Sequence, residues 1–173
     1  MLFNEVLESI DTNVEYRDTF KRQAVRAIIF KGDKLLLIKT NLGDYKLPGG
    51  GMNVGETPEE ALKREVWEET GYTISIVKNK IGTLIERSPD RFNDHSIFEM
   101  TSSYFLCDIF EFNGNQHLDQ YEKALGFKPK WISIAEAIEQ NEKLVSSAAQ
   151  PMNDWVPREI KVFRILQHWQ VPL

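Results

Sequence analysis

The segment between Thr57 and Gly71 carries the clearest secondary-structure signals in the sequence, and these signals constrain the fold. Thr57 can serve as a helix N-cap, Pro58 suits the first helical position, and Glu60 completes a capping box. Gly71 then supplies a helix stop. We therefore predict a helix from about residue 58 to residue 70.

Short apolar runs that are typical of β-strands lie on both sides of this helix. AIIF and LLLI flank a Gly-Asp pair and predict a hairpin, and TISIV, IGTLIE and SIFEMTSSYFLCDIF follow the helix. Residues 2–20 are predicted to form an N-terminal helix and residues 157–169 an amphipathic C-terminal helix. Ser133 and Glu136 form a second capping box, which predicts a helix after KWISI. Strands interleaved with a few helices indicate an α/β or α+β sandwich with a mixed sheet.

The composition limits the classes of protein to which the chain can belong. With 173 residues, the chain 1–173 is most simply one domain. A net charge of -5 argues against electrostatic binding to nucleic acid, and the apolar runs are too short to span a bilayer. The single cysteine, Cys107, excludes an internal disulfide and fits a reducing compartment. Because the first residues lack the features of a signal peptide, we predict a cytoplasmic protein.

Three acids of the predicted helix share one face. Glu65, Glu68 and Glu69 stand at i, i+3 and i+4, so their carboxylates repel one another by roughly 0.2–0.5 kcal/mol per pair. They also border the side on which Leu62 and Val66 are expected to face the core. A divalent cation would compensate this charge, and an all-oxygen cluster favours Mg2+ over zinc. The other interpretation is a solvated helix face with ordinary salt bridges.

The residues around these acids match a known motif. GGMNVGETPEEALKREVWEETGY, residues 50–72, has the spacing of the Nudix box, and Tyr72 is acceptable at its final apolar position. The fixed positions of the box are filled by Gly50, Glu56, Arg64, Glu65, Glu68, Glu69 and Gly71. Over this stretch the chain resembles the Nudix hydrolase family, which includes the MutT-like proteins. The resemblance implies an α/β fold, namely an α/β/α sandwich with a mixed β-sheet and a loop–helix–loop box.

The resemblance also assigns roles to residues of the box. It implies that Glu65, Glu68 and Glu69 bind a metal ion and that the Gly49 carbonyl can be a further ligand. The implied cofactor is Mg2+, and Mn2+ is a possible substitute. It further implies that Glu68 or Glu65 is the catalytic group that takes a proton from the attacking water. The residues expected to shape the motif are Gly49, Gly50, Glu56, Arg64 and Gly71.

Outside the box the candidates are weaker. Glu122 and Glu99 could supply an additional acid, because Nudix enzymes often recruit one from a loop as ligand or base. Three histidines have no partner at ligand spacing and are interpreted as surface residues, namely His95, His117 and His168. Most large aromatic residues belong to the core. Four of them could instead stack on a base, namely Phe92, Phe127, Trp131 and Trp155.

The predicted activity is Mg2+-dependent hydrolysis of a diphosphate bond in a nucleoside diphosphate linked to another moiety. A nucleoside triphosphate is slightly favoured, because SPDRF resembles a loop of mutator-type members. Pro89 equally resembles a proline of ADP-ribose hydrolases, so ADP-ribose or a nucleotide sugar is the alternative. The expected partner is a small-molecule nucleotide or diphosphate, without nucleic acid or membrane, and a homodimer is left open. Two alternative functions are a non-catalytic nucleotide sensor and an isopentenyl-diphosphate isomerase. The position of Cys107, well after the box, argues against the isomerase.

Overall fold

The structure, a computed structural model, describes residues 1–11, 13–93, 95–147 and 151–169. Strands and helices alternate along the chain as the sequence predicts. In chain order they are β1 (Phe3–Glu8), β2 (Asp18–Ile28), β3 (Phe30–Lys31), β4 (Lys34–Lys39), β5 (Tyr45–Lys46), α1 (Pro58–Thr70), β6 (Tyr72–Pro89), β7 (Ser96–Asn113), α2 (Gln120–Ala124), β8 (Lys128–Ser133), α3 (Ile134–Ser146) and α4 (Val156–Gln167).

The strands form two four-stranded sheets. The first has the order β1-β6-β7-β2, in which β6 and β7 are antiparallel, while β1 is parallel to β6 and β2 is parallel to β7. In the second, β4 pairs antiparallel with β3, β5 and β8. The predicted mixed sheet is confirmed by the first of these, and the predicted hairpin by the pairing of β3 with β4.

Two cores lie on opposite sides of the strands, because successive strand residues point to opposite faces. Leu36 of β4 belongs to one core together with Leu62 and Val66 of α1. Its neighbours Leu35 and Leu37 belong to the other core, with side chains of α3 and α4. Helices therefore cover both sides of the strands, which confirms the α/β/α sandwich. Within the described part of the chain, no helix is long and apolar enough to cross a membrane.

The predicted N-terminal helix over residues 2–20 is wrong. Residues Phe3–Glu8 form β1, which pairs in parallel with β6, and β2 already begins at Asp18. Phe3 is buried and its ring packs on the edge of Tyr104 with 5.1 Å between centroids. The pattern of β1 has the two-residue period of a strand, but its partner strand is distant in sequence. Six residues without a local turn signal do not reveal such a pairing.

The helices predicted from capping signals are confirmed. α1 has the predicted bounds, and the capping boxes at Thr57 and Ser133 are both formed. Gly71 ends α1 in the left-handed conformation, with a φ of 75°. The predicted C-terminal helix over 157–169 is present as α4, which spans Val156–Gln167.

The long strands β6 and β7 form a ribbon that leaves α1 and returns to it. Tyr72 follows the C-cap of α1 and pairs with Asn113 at the far end of β7. TISIV and IGTLIE are parts of the single strand β6, whose pairing with β7 shifts register between Tyr72 and Gly82. The ribbon thus brings the chain after residue 113 back to the C-terminal end of α1.

Candidate active site

Two acids of α1 point into the protein and one stays near the surface. Glu65 and Glu69 are only 7% and 2% exposed, whereas the side chain of Glu68 is 32% exposed. Their spacing of four residues places Glu65 and Glu69 on the same face of the helix. These two acids therefore sit on the core-facing side of the helix.

A third carboxylate completes a cluster with these two. Glu65, Glu69 and Glu122 of α2 each contribute a carboxylate oxygen, and these oxygens lie within 4.8 Å of one another. Burial raises the pKa of Glu122 above its ordinary value, and the negative charges of Asp119 and Glu65 raise it further. Glu99, the other candidate, lies on β7 in an ion pair with Arg87 at 2.7 Å. The structure thus brings Glu122, and not Glu99, to the acids of the box.

The segment 114–117 joins the return of the ribbon to the end of α1. Its backbone amides donate to the carbonyl oxygens of Glu68 and Gly71, at 2.8 Å in each case. Its glutamine side chain also donates to the carbonyl oxygen of Glu69 at 2.5 Å. Carbonyl groups in the last turn of a helix lack partners within the helix, and these donors satisfy them. The same contacts hold the chain that leads to Glu122 beside the acids.

The glycines beside the cluster are required by close approaches. Gly49 has a φ of 133°, and a Cβ atom there would clash with the carbonyl oxygen of Val25 and lie 3.0 Å from Cα of Arg26. A Cβ atom on Gly50 would lie 2.6 Å from the carboxyl carbon of Glu65. Gly49 is therefore needed for its backbone conformation, whereas Gly50 leaves room for the Glu65 carboxylate.

Glu69 is held by this glycine loop and by a buried lysine. The amide of Gly49 donates to Glu69 Oε2 at 2.8 Å, and Lys46 Nζ contacts Glu69 Oε1. The carbonyl of Gly49 accepts hydrogen bonds from Arg26 and, at 3.4 Å, from Lys46. Burial raises the pKa of Glu69 to about 7, against the opposing effect of Lys46. The Glu69 carboxylate and the Gly49 carbonyl thus both contact Lys46, and the carbonyl also contacts Arg26.

Arg64 connects the exposed side of the box. Its Nε and Nη2 donate to the two carboxylate oxygens of Glu56 at 2.6 and 2.8 Å, which is a bidentate pair. Its Nη1 donates to Glu65 at 2.7 Å and to Glu68 at 3.2 Å. The hydrogen bonds from Arg64 lower the pKa of Glu56 to about 2. Arg64 therefore holds the Glu56 carboxylate in a bidentate pair and also contacts Glu65 and Glu68.

Among the aromatic candidates, Phe127 lies closest to these groups. It is buried, and its ring centroid lies 4.6 Å from Lys46 Nζ and 6.4 Å from the ring of Trp155. Phe92 is 98% exposed, and Trp131 belongs to the periphery of the core under α1. All three histidines are exposed, as predicted, namely His95, His117 and His168.

Three residues of the site had no signal in the sequence, namely Lys46, Arg26 and Gln116. Lysine and arginine are rarely buried, so their default interpretation is a surface position. Lys46 lies on β5, where its backbone pairs with Ile38 of β4, and its side chain is buried. Its position two residues before the PGG stretch is the only hint that the sequence offers.

The box and the sheets around it are shared with known proteins. A family model described as the NUDIX domain matches residues 20–156. The chain belongs to the Nudix family. A Nudix hydrolase from Nitrosomonas europaea superposes with a TM-score of 0.56 at 21% identity, covering 88% of this chain and 94% of that one. This likeness shows the Nudix fold, whereas the assignment of residues 1–173 to a single domain stays a prediction.

Two Nudix relatives are similar in sequence to different extents. An ADP-ribose pyrophosphatase from Methanocaldococcus jannaschii is 49% identical over 72 residues, which is 39% of this chain and 41% of the relative. The chain thus spans less than half the length of that relative. A diphosphoinositol polyphosphate phosphohydrolase 3-alpha from Mus musculus is 31% identical over 127 residues, which is 69% of this chain and 68% of the relative.

Proposed function

We propose that this Nudix protein hydrolyses a diphosphate bond in a nucleoside diphosphate linked to another moiety, with Mg2+ as cofactor and Mn2+ as substitute. The observation that carries the proposal is the convergence of Glu65, Glu69 and Glu122 within 4.8 Å. An all-oxygen donor set suits Mg2+ and is atypical of zinc. The fit is supported by Lys46, because a positive group already lies between Glu69 and the Gly49 carbonyl.

We propose that the acids of the site have different roles, as metal ligand or as general base, according to their positions. Glu65, Glu69 and Glu122 would hold the ion together with the Gly49 carbonyl. When bound, the ion supplies neutralisation of phosphate charge and lowers the pKa of the attacking water. Glu68, whose carboxylate is half-exposed, is proposed to take the proton, with Glu65 as the alternative. The ligand role of Glu68 stays a prediction, because its carboxylate lies outside the three-carboxylate cluster.

The substrate is proposed at the level of a chemical class. The relative from Methanocaldococcus jannaschii supports ADP-ribose or a nucleotide sugar, since it is named an ADP-ribose pyrophosphatase. The mouse relative, named a diphosphoinositol polyphosphate phosphohydrolase, aligns over more of the chain and adds diphosphoinositol compounds to the candidates. The slight preference for a nucleoside triphosphate stays a prediction.

A substrate panel in oxygen-18 water tests the proposal. The panel contains a nucleoside triphosphate, ADP-ribose, a nucleotide sugar and a diphosphoinositol compound, each with Mg2+ or with EDTA. We expect one of these to be cleaved only with Mg2+ or Mn2+, and the label to appear on phosphorus within a single turnover, because the attacking oxygen comes from solvent. Binding without turnover across the panel would instead support the nucleotide sensor.

A matched pair of variants links the activity to the cluster. Glu69→Gln removes a carboxylate of the cluster, whereas Glu59→Gln makes the same change at an exposed position of α1 that pairs with Lys63. Only the first change is expected to abolish turnover. Equal activities of the two variants, or a requirement for stoichiometric zinc, would overturn the proposed site.

A further inference from the structure

Lys46 is one of two buried cations that the described residues contribute to the site, and Arg26 is the other. Its Nζ contacts Glu69 Oε1 and lies 3.4 Å from the Gly49 carbonyl oxygen. On another side, the ring centroid of Phe127 lies 4.6 Å from the same nitrogen, a distance that suits a cation–π contact. Only 4% of the residue is exposed. Burying an ammonium group is costly unless it is paired, so these contacts explain why Lys46 can be buried at all.

Lys46 contacts two of the groups proposed to hold the metal ion, namely the Glu69 carboxylate and the Gly49 carbonyl. We propose that Lys46 is an internal counter-ion, which occupies the cation position of the metal-free protein and which a divalent ion must displace from Glu69. This inference rests on the proposed metal site. A divalent ion and the Lys46 ammonium group at contact distance from the same Glu69 carboxylate would repel each other strongly, because the environment is buried.

The fold restricts how the Lys46 ammonium group can move away from Glu69. Its backbone belongs to β5 and is paired with Ile38 of β4, so the main chain is fixed. The ammonium group can therefore leave Glu69 only by rotation of the side chain. Arg26 also donates to the Gly49 carbonyl, but among the described residues it makes no ion pair with a carboxylate. Lys46, and not Arg26, is thus the group that competes for Glu69.

The pairing has a consequence for the balance between folding and metal binding. Three carboxylates converge in this cluster, and without a counter-ion their repulsion would oppose folding of the metal-free chain. Lys46 relieves part of that repulsion before any ion is bound. The same contact weakens metal binding, because the ion must break an existing ion pair to bind.

Titration of metal-free protein with Mn2+, followed by calorimetry and by the electron paramagnetic resonance of free Mn2+, tests the inference. Lys46→Met keeps the length of the side chain and its packing on Phe127 but removes the charge. We expect this variant to bind Mn2+ about tenfold more tightly than the wild type, because the ion no longer competes with an ammonium group for Glu69. Lys39→Met is the matched control, because Lys39 lies over the Tyr45 ring at 5.6 Å and not against Glu69. Its affinity for Mn2+ is expected to equal that of the wild type.

The outcomes separate this inference from the proposed function. If the wild type binds Mn2+ and Glu69→Gln does not, the metal site holds. Lys46→Met with unchanged or weaker Mn2+ binding then overturns the counter-ion role alone. If the wild type binds no Mn2+, the proposed metal site itself fails. Lys46→Gln serves as a second neutral variant if Lys46→Met does not fold, and the same tightening is expected of it.

Discussion

Glu69 has different surroundings from Glu65 and Glu68, although all three are fixed positions of the same motif. It is the most buried of the three and the one that contacts Lys46. Glu65 instead pairs with Arg64, and Glu68 lies half-exposed beside the same arginine. Identical side chains therefore have different energetic costs when they are replaced, and the differences can be measured.

Replacing Glu69 with glutamine is expected to affect both turnover and stability. Turnover should fall about a hundredfold or more, because the charge stabilisation supplied by a bound metal ion is worth several kcal/mol. The free energy of unfolding in metal-free buffer should fall by about 3 kcal/mol, because Lys46 is left buried without a carboxylate. Steady-state kinetics and urea denaturation measure the two effects.

The double variant Lys46→Met with Glu69→Gln separates these causes. It should regain most of the lost stability, since neither charge of the pair remains, but it should regain no activity. If Glu69→Gln alone were as stable as the wild type without metal, the buried pair would have no stabilising role.

The Arg64–Glu56 pair predicts a pH dependence of stability. The hydrogen bonds from Arg64 lower the pKa of Glu56 from 4.5 to about 2 in the folded protein. A carboxyl group with a lowered folded pKa stabilises the fold above its ordinary pKa and loses that effect as the pH falls. The difference in urea midpoint between the wild type and Glu56→Gln should therefore be constant near neutral pH and shrink between pH 4.5 and 2.

An Arg64→Gln background provides the control for this pH dependence. Without the guanidinium group, the pH-dependent part of the difference should become smaller, and the hydrogen bond from the Asn53 amide should account for the remainder. A difference that persists unchanged from neutral to acid pH in the wild-type background would show that Glu56 does not titrate as its contacts indicate.

At the scale of the element, α1 is stabilised at its two ends by different means. A capping box closes its N-terminus, and acids in the first turn suit the positive end of the helix dipole. The last turn contains Glu68 and Glu69 and no basic residue, which is unfavourable for an isolated helix. Amides of segment 114–117 satisfy the carbonyls there. The acidic end of α1 is thus stabilised by tertiary contacts and not by the helix itself.

The loop before α1 offers a comparison of two neighbouring glycines. A Cβ atom on Gly50 would lie 2.6 Å from the carboxyl carbon of Glu65, and one on Gly51 would lie 2.7 Å from Nε of Arg22. Both neighbours are the ends of side chains that can move, so both alanine variants are expected to fold. Gly50→Ala displaces a carboxylate of the cluster and should weaken Mn2+ binding about tenfold, whereas Gly51→Ala should not. Equal Mn2+ affinities would contradict the proposed ligand role of Glu65.

The elements that could be predicted from the sequence are those with local signals. α1 and α3 have capping residues beside them, and the turn at Gly32–Asp33 lies between the two strands it joins. β1 has no such signal, because its partner β6 is far along the chain and its six residues fit more than one pattern. The prediction of a helix at residues 2–20 failed for this reason.

The same distinction applies to the site. Glu65 and Glu69 could be paired from their spacing on one helix, since that geometry is local. Glu122 could be named only as one of two candidates, because its approach depends on the ribbon of β6 and β7. The role of Lys46 could not be predicted, since its burial follows from how the second sheet packs.

At the scale of the whole molecule, the cluster joins parts of the chain that other elements keep apart. Glu65 and Glu69 lie one turn apart on α1, whereas Glu122 is held near them by the ribbon and by segment 114–117. We therefore expect Glu122 to join the cluster late in folding. Closing such a long loop costs conformational entropy before its contacts are gained.

This order of assembly has a kinetic consequence. If the third carboxylate joins the others only when the chain is nearly native, a bound ion stabilises the native state but not the folding transition state. Saturating Mg2+ should therefore slow unfolding in stopped-flow urea jumps and leave the refolding rate almost unchanged. A refolding rate that rises with Mg2+ would mean that the cluster assembles early. Because the ribbon brings in the third carboxylate, the bound ion is expected to slow unfolding. The lifetime of the native state, and not the rate of folding, should then depend on the metal concentration.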